Sequence, residues 1–130
     1  MEQRHYLIDT NVIIDFLGNK LPPVSHQLIS AIIDRVPQLS VITKIEILSF
    51  ETNPKDASLL HQFIQDAQVH SISEEVTLYC IEIRKEQKTK LPDALIAATA
   101  LCHNCVLVTR NVNDFRKIKN LSLLNPFQIV

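Results

Sequence analysis

The sequence contains a single glycine among 130 residues, and this scarcity limits the folds and sites that the chain can form. Architectures that depend on many tight turns, such as small all-β barrels, need more glycine than this. The glycine-rich loops that cradle phosphates, G-x-G-x-x-G and the Walker pattern, cannot be written with Gly18 alone. We therefore exclude nucleotide binding of those kinds.

Long apolar runs and a strong net charge are also missing. No stretch approaches the roughly 18 apolar residues of a membrane span, and the N-terminus has no pattern of a secretory leader. A net charge of −1 gives no global basic field, so any contact with nucleic acid has to come from local clusters or bound cations. We expect a single domain over residues 1–130 that is cytoplasmic and has no membrane anchor.

The three cysteines cannot all form disulfides with one another, which fits a reducing compartment. Cys102 and Cys105 form a C-x-x-C pair, but the pattern places it across the end of a helix and the start of a strand. Redox pairs of this type need the first cysteine at a helix N-terminus, and a zinc site needs further ligands at matching spacing. We interpret the pair as small buried residues.

Short apolar runs alternate with helical patterns along the whole chain. The first run, Tyr6-Leu7-Ile8, ends at Asp9 and is followed by an apolar helix, as expected for a central parallel strand. Further strands are predicted at residues 39–42, 69–72, 105–109 and 121–124. This alternation predicts a three-layer α/β/α sandwich with a mostly parallel central sheet.

Four acids stand at positions that this fold would bring together. Asp9 follows the first strand, Glu46 lies in the first turn of the third helix, Asp93 opens the most apolar helix, and Asp114 follows a buried strand. In a parallel sheet these positions share one edge. Converging carboxylates raise one another's pKa unless a divalent ion neutralises them. Oxygen ligands favour Mg²⁺ or Mn²⁺, which activate water against phosphate esters.

Each of these acids also has a structural interpretation. Glu46 follows Thr43 by three residues, which is the spacing of a helix capping box. The helix dipole favours Asp93 near a helix start, and Asp114 can cap a turn. Asp9 is the hardest to explain without a ligand, because a charge buried at the end of a central strand is costly unless a cation or hydrogen-bond donors compensate.

Four segments together carry a family resemblance: LIDTNV at residues 7–12, ITKIEIL at 42–48, LPDALIAATA at 91–100 and LVTRNVNDF at 107–115. They resemble the four signature blocks of PIN-domain ribonucleases, occur in the family's order and span nearly the whole chain. The similarity is greatest to the small VapC-type toxins of bacterial toxin–antitoxin pairs.

This resemblance implies an endoribonuclease that depends on Mg²⁺ or Mn²⁺, forms a homodimer and is held inactive by an antitoxin protein. Carried over by position, Asp9 and Asp93 would be the main metal ligands. Glu46 would assist directly or as a base that positions water, and Asp114 would complete the acidic cluster.

The same resemblance assigns supporting roles to two threonines and one asparagine. Thr10 and Thr109 would orient carboxylates through hydrogen bonds. The position of Asn111 is often aspartate in the family, so the fourth acid is either missing or replaced by Asp114. Asparagine offers a carbonyl ligand without charge, which favours a mechanism with one metal ion.

Basic residues lie on both sides of the predicted site. Lys88 and Lys90 lead up to Asp93, and Arg110 and Arg116 lie near Asp114, so all four are candidate contacts to RNA phosphates. For the first pair, a solvated helix end that favours positive charge is an equally good interpretation. No aromatic platform for base stacking is visible, so no sequence preference is predicted.

Two other classes of protein share parts of this pattern. A haloacid-dehalogenase-type phosphatase needs a second aspartate two residues after the first, and Asn11 occupies that position. A non-catalytic PIN-like module that binds RNA or protein stays open, because the presence of the acids does not establish turnover.

Overall fold

The computed structural model of the protein describes residues 4–128. Within that range the chain forms five strands and seven helices. Their order is β1 (His5–Ile8), α1 (Thr10–Leu17), α2 (Pro23–Ile33), β2 (Gln38–Ser40), α3 (Val41–Leu48), α4 (Pro54–Asp66), β3 (Gln68–His70), α5 (Glu74–Glu86), α6 (Leu91–Cys102), β4 (Cys105–Val108), α7 (Val112–Phe115) and β5 (Leu123–Leu124).

The five strands of this range form one sheet in the order β3-β2-β1-β4-β5, and every pairing is parallel. β1 is central, with β4 on one side in the register Leu7 to Leu107 and β2 on the other. The predicted three-layer α/β/α fold with a parallel sheet is confirmed. The central position of β1 also places its C-terminal end in the middle of the edge where ligands bind in such sheets.

Each face of the sheet carries its own apolar core, because the central strands are covered on both sides. On one face Leu7 and Leu107 pack against α5 and α6. The alanines of α6 that lie in this core are fully buried, and their small side chains let the helix approach the sheet closely. On the other face Ile8, Leu39 and Val108 pack against α1 to α4.

The start of α3 differs from the prediction. The second strand was predicted to run to residue 42, but it ends at Ser40, whose hydroxyl accepts a hydrogen bond of 3.1 Å from the Ile42 amide and caps α3. Thr43 therefore lies inside the helix, and Glu46 lies in the second turn rather than the first. The capping-box interpretation of Glu46 is wrong, because the cap is three residues earlier.

The edge strands are shorter than predicted. β3 begins and ends earlier than the predicted 69–72, and β5 covers only the last two residues of the predicted 121–124. An edge strand forms hydrogen bonds to a neighbour on one side only. The apolar segment that predicts the strand can therefore be longer than the part that is paired. The single turn of α7 was not predicted, because four residues are too few to show helical periodicity.

Cys102 ends α6 and Cys105 begins β4, so the C-x-x-C pair lies where it was predicted, and both thiols are free. Burial raises the pKa of Cys105 to about 11, which leaves this thiol unreactive. An unpredicted feature lies nearby, where the rings of His70 and His103 stack with centroids 3.7 Å apart. In residues 4–128, no helix has the length and apolar character that crossing a bilayer requires.

Candidate functional site

Asp9 lies between the end of β1 and the start of α1, and hydrogen bonds fix both of its carboxylate oxygens. Its Oδ1 accepts the Thr10 amide at 2.8 Å, so Asp9 caps α1. Its Oδ2 accepts the Thr109 hydroxyl at 2.8 Å, across from the end of β4. The residue is 6% exposed. Two neighbouring elements therefore hold this carboxylate in one orientation.

The surroundings of Asp9 disfavour the ionised form of its carboxyl group. Burial raises the pKa of Asp9 above its ordinary value; the hydrogen bonds from Thr109 and Thr10 act in the opposite direction, and the charge of Glu46 raises it further. Both donors are neutral groups. They orient the carboxylate without supplying the positive charge that a buried anion requires.

Thr109 is itself oriented by the chain that follows it. Its hydroxyl oxygen is fully buried and accepts the Asn111 amide at 3.0 Å while donating to Asp9. Asn111 thus supports the site through its backbone, whereas its side chain lies on an exposed residue and makes no cap for α7. This chain of two hydrogen bonds directs the Thr109 proton at the Asp9 carboxylate.

Glu46 joins the site from α3. It is exposed, and its Oε1 accepts the Thr10 hydroxyl at 2.7 Å. Thr10 was predicted to orient a carboxylate, and in the structure it contacts two: its amide binds Asp9 and its hydroxyl binds Glu46. The first residue of α1 therefore links the two acids.

Asp93 lies half-buried in the first turn of α6. Burial is the largest cause that raises the pKa of Asp93, and the negative charges of Asp9 and Asp114 are the next largest. Lys90 lowers this pKa, and Glu46 has the smallest raising effect. The other three predicted acids therefore lie within electrostatic range of Asp93, although the four come from different parts of the chain. Asp114 is exposed on α7.

The predicted basic residues are placed unequally. Lys88, Lys90 and Lys117 line an open cavity of about 290 Å³ together with Asp93 and Asp114. Arg110, in contrast, is paired with Asp15 and Arg116 is an exposed residue at the end of α7. The lysines thus border a space that two of the four acids, Asp93 and Asp114, also line.

The donor set fits a hard divalent cation. The acids and threonines of the site all offer oxygen, and Mg²⁺ commonly binds one or two carboxylates and keeps several waters. Across residues 4–128, no three acidic, histidine or cysteine side chains are placed to hold one ion by themselves. The arrangement thus fits an ion held by Asp9 and Asp93 with water completing its coordination.

One acid near the site was not predicted. Asp15 lies in the second turn of α1, is buried, and accepts Arg110 at 3.0 Å. A signal was present in the sequence, because Asp15 is the one charged residue in the otherwise apolar stretch TNVIIDFL. A lone acid in such a helix needs a partner, but the pattern does not identify which basic residue it is.

The comparison with family models adds an independent finding to this geometry. The model described as PIN domain matches residues 6–121. The chain belongs to the PIN domain family. This PIN domain is similar to Ribonuclease VapC2 of Rickettsia felis, with 28% identity over 92% of this chain and 96% of that protein.

Solved structures agree with this assignment. The PIN domain resembles a toxin–antitoxin complex from Klebsiella pneumoniae, with a TM-score of 0.74 and 28% identity over 95% of this chain and 99% of that one. It also resembles VapBC2 from Rickettsia felis bound to a DNA fragment from their promoter, with a TM-score of 0.77 and 25% identity over 92% of this chain and 97% of that one. The predicted family resemblance is confirmed.

Proposed function

We propose that this PIN domain is an endoribonuclease that requires Mg²⁺ or Mn²⁺ and is the toxin of a toxin–antitoxin pair. The observation that carries the proposal is the position of Asp93, whose pKa is raised by burial and by three other acids of the predicted site. A group of carboxylates that oppose one another's ionisation is stable in its charged form when a cation binds it. The similarity to Ribonuclease VapC2 supports RNA as the substrate.

Different residues of the protein would bind the ion and orient the residues that bind it. Asp9 and Asp93 would bind it, and the Thr109 hydroxyl keeps the Asp9 carboxylate turned toward the cluster. When bound, the ion would stabilise charge on the phosphodiester and activate water for in-line attack. Asp114, exposed on α7, adds negative charge at the outer side of the cluster.

Glu46 is placed to move a proton. Its Oε1 accepts the Thr10 hydroxyl, which would leave Oε2 to accept a proton from the attacking water. Because Thr10 also holds Asp9 through its amide, the base and the main ligand keep a constant spacing. The side chain is exposed, so the accepted proton has a direct route to solvent.

The lysine-lined cavity is the proposed path of the RNA backbone. α5 ends at Glu86, and Arg84 and Lys85 already occupy its last turn, where the helix dipole favours positive charge. Lys88 and Lys90 lie beyond the helix and face the cavity that contains Asp93 and Asp114. This position favours phosphate binding over the helix-end interpretation for these two lysines.

The proposed partners follow from the relatives. Two similar solved structures are toxin–antitoxin assemblies, which supports an antitoxin protein as the partner that inhibits this chain. We also propose a homodimer in the cytoplasm, with residues 1–130 acting as one nuclease domain.

Cleavage of a mixed pool of structured RNA by the purified protein tests the proposal. We expect cleavage with Mg²⁺ or Mn²⁺ and none with a chelator. Asp93→Asn should lower the rate by at least about 100-fold, because even residues that only hydrogen-bond a metal ligand are worth 10- to 100-fold. Asp34→Asn, which removes an exposed acid at the end of α2, is the matched control and should cleave normally.

Two results would contradict the proposal. Equal inactivity of wild type and Asp93→Asn, together with no Mn²⁺ binding by calorimetry, would make the acids structural and favour a non-catalytic binding module. Cleavage that persists in chelator would show that the cluster works without a metal ion.

A further inference from the structure

The segment after β4 is joined to α1 at two places by consecutive residues. Thr109 binds Asp9 at the start of the helix, and Arg110 binds Asp15 six residues further along it. The guanidinium Nη1 donates to the Asp15 Oδ2 at 3.0 Å, and the two side chains are 46% and 11% exposed. The hydrogen bond between Thr109 and Asp9 and the ion pair between Arg110 and Asp15 therefore both connect the segment after β4 to α1 and its cap.

Arg110 is also held from its other side. Its Cζ lies 5.6 Å from the centroid of the Phe127 ring, a cation–π distance. The Phe127 amide in turn donates to the Asn125 Oδ1 at 2.9 Å, and the Thr109 amide donates to the Leu124 carbonyl at 3.0 Å. Arg110 is thus fixed between α1 and the segment that follows β5.

The guanidinium is paired with Asp15, and its charge is not among those that shift the pKa of Asp9 or Asp93. The charges that shift the pKa of Asp93 are those of Asp9, Asp114, Lys90 and Glu46. Arg110 follows Thr109 directly in the chain, yet its charge is used to balance Asp15. The RNA phosphate contact predicted for Arg110 stays a prediction, since 46% of the side chain is exposed.

We propose that Asp15 and Arg110 are positioning residues for the metal site of this PIN domain. By fixing the backbone at residue 110, the pair keeps the Thr109 hydroxyl on the Asp9 carboxylate, and thereby keeps Asp9 in the orientation that binds the ion. The inference rests on the proposed function, since it concerns the same metal site. It assigns a task to Asp15, which the family resemblance did not include.

The test measures Mn²⁺ affinity by calorimetry and kcat and KM for RNA cleavage in Asp15→Asn, Arg110→Gln and Arg110→Lys. We expect Asp15→Asn and Arg110→Gln each to weaken Mn²⁺ binding and lower kcat by about 10-fold, the lower end of the effect of residues that orient metal ligands, with KM unchanged. Arg110→Lys keeps a cation opposite Asp15 and should recover most of the affinity. The double variant Asp15→Asn with Arg110→Gln should be no weaker than either single variant, because the two residues act as one unit.

Glu82→Gln is the matched control, since it breaks an ion pair with Lys85 that is 3.7 Å long and lies on the exposed side of α5. It should leave Mn²⁺ affinity and both kinetic constants unchanged. Melting temperatures of all variants establish that they are folded at the temperature of the assay.

Three results would overturn the inference. If Arg110→Gln raises KM while Mn²⁺ affinity and kcat stay the same, Arg110 is a phosphate contact. If the variants lower only the melting temperature, the pair is merely structural. If wild type cleaves RNA without binding Mn²⁺ at Asp9, the positioning role fails; if wild type neither cleaves nor binds Mn²⁺, the proposed function fails first.

Discussion

Asp9, which caps α1, and Asp15, which lies within α1, are buried to nearly the same degree but have different surroundings. Asp9 is 6% exposed and Asp15 is 8% exposed. Asp15 faces the guanidinium of Arg110, whereas Asp9 receives only a hydroxyl and an amide. Within residues 4–128, Asp15 therefore has a positively charged partner and Asp9 has none.

This difference separates a structural acid from a binding acid. A buried carboxylate costs free energy unless positive charge compensates it, and the pKa of Asp9 is raised because neutral donors do not compensate its burial. Neutral donors nevertheless fix its direction. An acid that is oriented but not neutralised has the properties of a site for a diffusible cation, and the following predictions test that distinction.

Among the tests of this distinction, the largest effect is expected from removing a neutral donor at Asp9. Thr109→Val deletes the hydroxyl that donates to the Asp9 Oδ2 at 2.8 Å. We expect Mn²⁺ affinity, measured by calorimetry, to fall by about 10- to 100-fold, because the carboxylate loses its fixed orientation.

Thr99→Val is the control for the loss of a buried threonine hydroxyl. The Thr99 hydroxyl donates to the Leu95 carbonyl within α6, at 2.8 Å, and takes no part in the cluster. An equal loss of Mn²⁺ affinity in both variants would mean that Thr109 acts through general packing and not through Asp9.

A smaller effect is expected on the stability of the metal-free protein. Asp15→Asn breaks a pair in which one partner is nearly half exposed, so we expect a loss of about 1–2 kcal/mol and a melting temperature lower by about 3–8 °C. Asp9→Asn should leave the melting temperature unchanged or raise it, because asparagine still caps α1 and removes a charge that burial opposes.

Thermal unfolding in the presence of a chelator measures both variants under the same conditions. If Asp9→Asn destabilises the protein as much as Asp15→Asn does, the two acids are equivalent and the distinction fails.

The smallest effect is a dependence of stability on pH. Burial first, and neighbouring acids second, raise the folded-state pKa of Asp93, and burial raises that of Asp9. A raised acid contributes stability that is fully present below its unfolded pKa and is lost as the pH rises through its folded pKa. Without metal, the stability that these acids contribute should therefore fall as the pH rises from about 4 toward 7, and the melting temperature should fall with it.

Added Mg²⁺ should reverse this trend, because the ion binds the ionised carboxylates and its stabilising effect grows over the same pH range. Melting curves at several pH values, with and without Mg²⁺, measure the difference. In Asp93→Asn the Mg²⁺-dependent increase should be reduced at every pH; an unchanged increase would place the ion elsewhere.

The parallel fold and the gathering of the acids were predictable because they depend on local patterns. The run that ends at Asp9 predicts a central strand, and topology then brings Asp93 and Asp114 to the same edge. These inferences need only the alternation of strands and helices. They do not need the position of any single side chain.

The remaining features depend on contacts between distant residues or on competition between neighbouring signals. The Asp15–Arg110 pair joins residues 95 positions apart, and no spacing rule identifies such partners. At the start of α3, Val41 and Ile42 have the β-branched side chains of a strand, but the Ser40 cap begins a helix there. Because the helix begins earlier than predicted, Glu46 lies in its second turn and not in its first.

The central place of β1 also determines when the site is completed during synthesis. β1 is made first, but its β4 neighbour and the Thr109 hydroxyl follow 100 residues later. Until then Asp9 lacks one of its two donors, and Asp93 has only just been added. A partly synthesised chain therefore lacks the complete set of contacts around Asp9, and the proposed nuclease site forms only when nearly all of the chain exists.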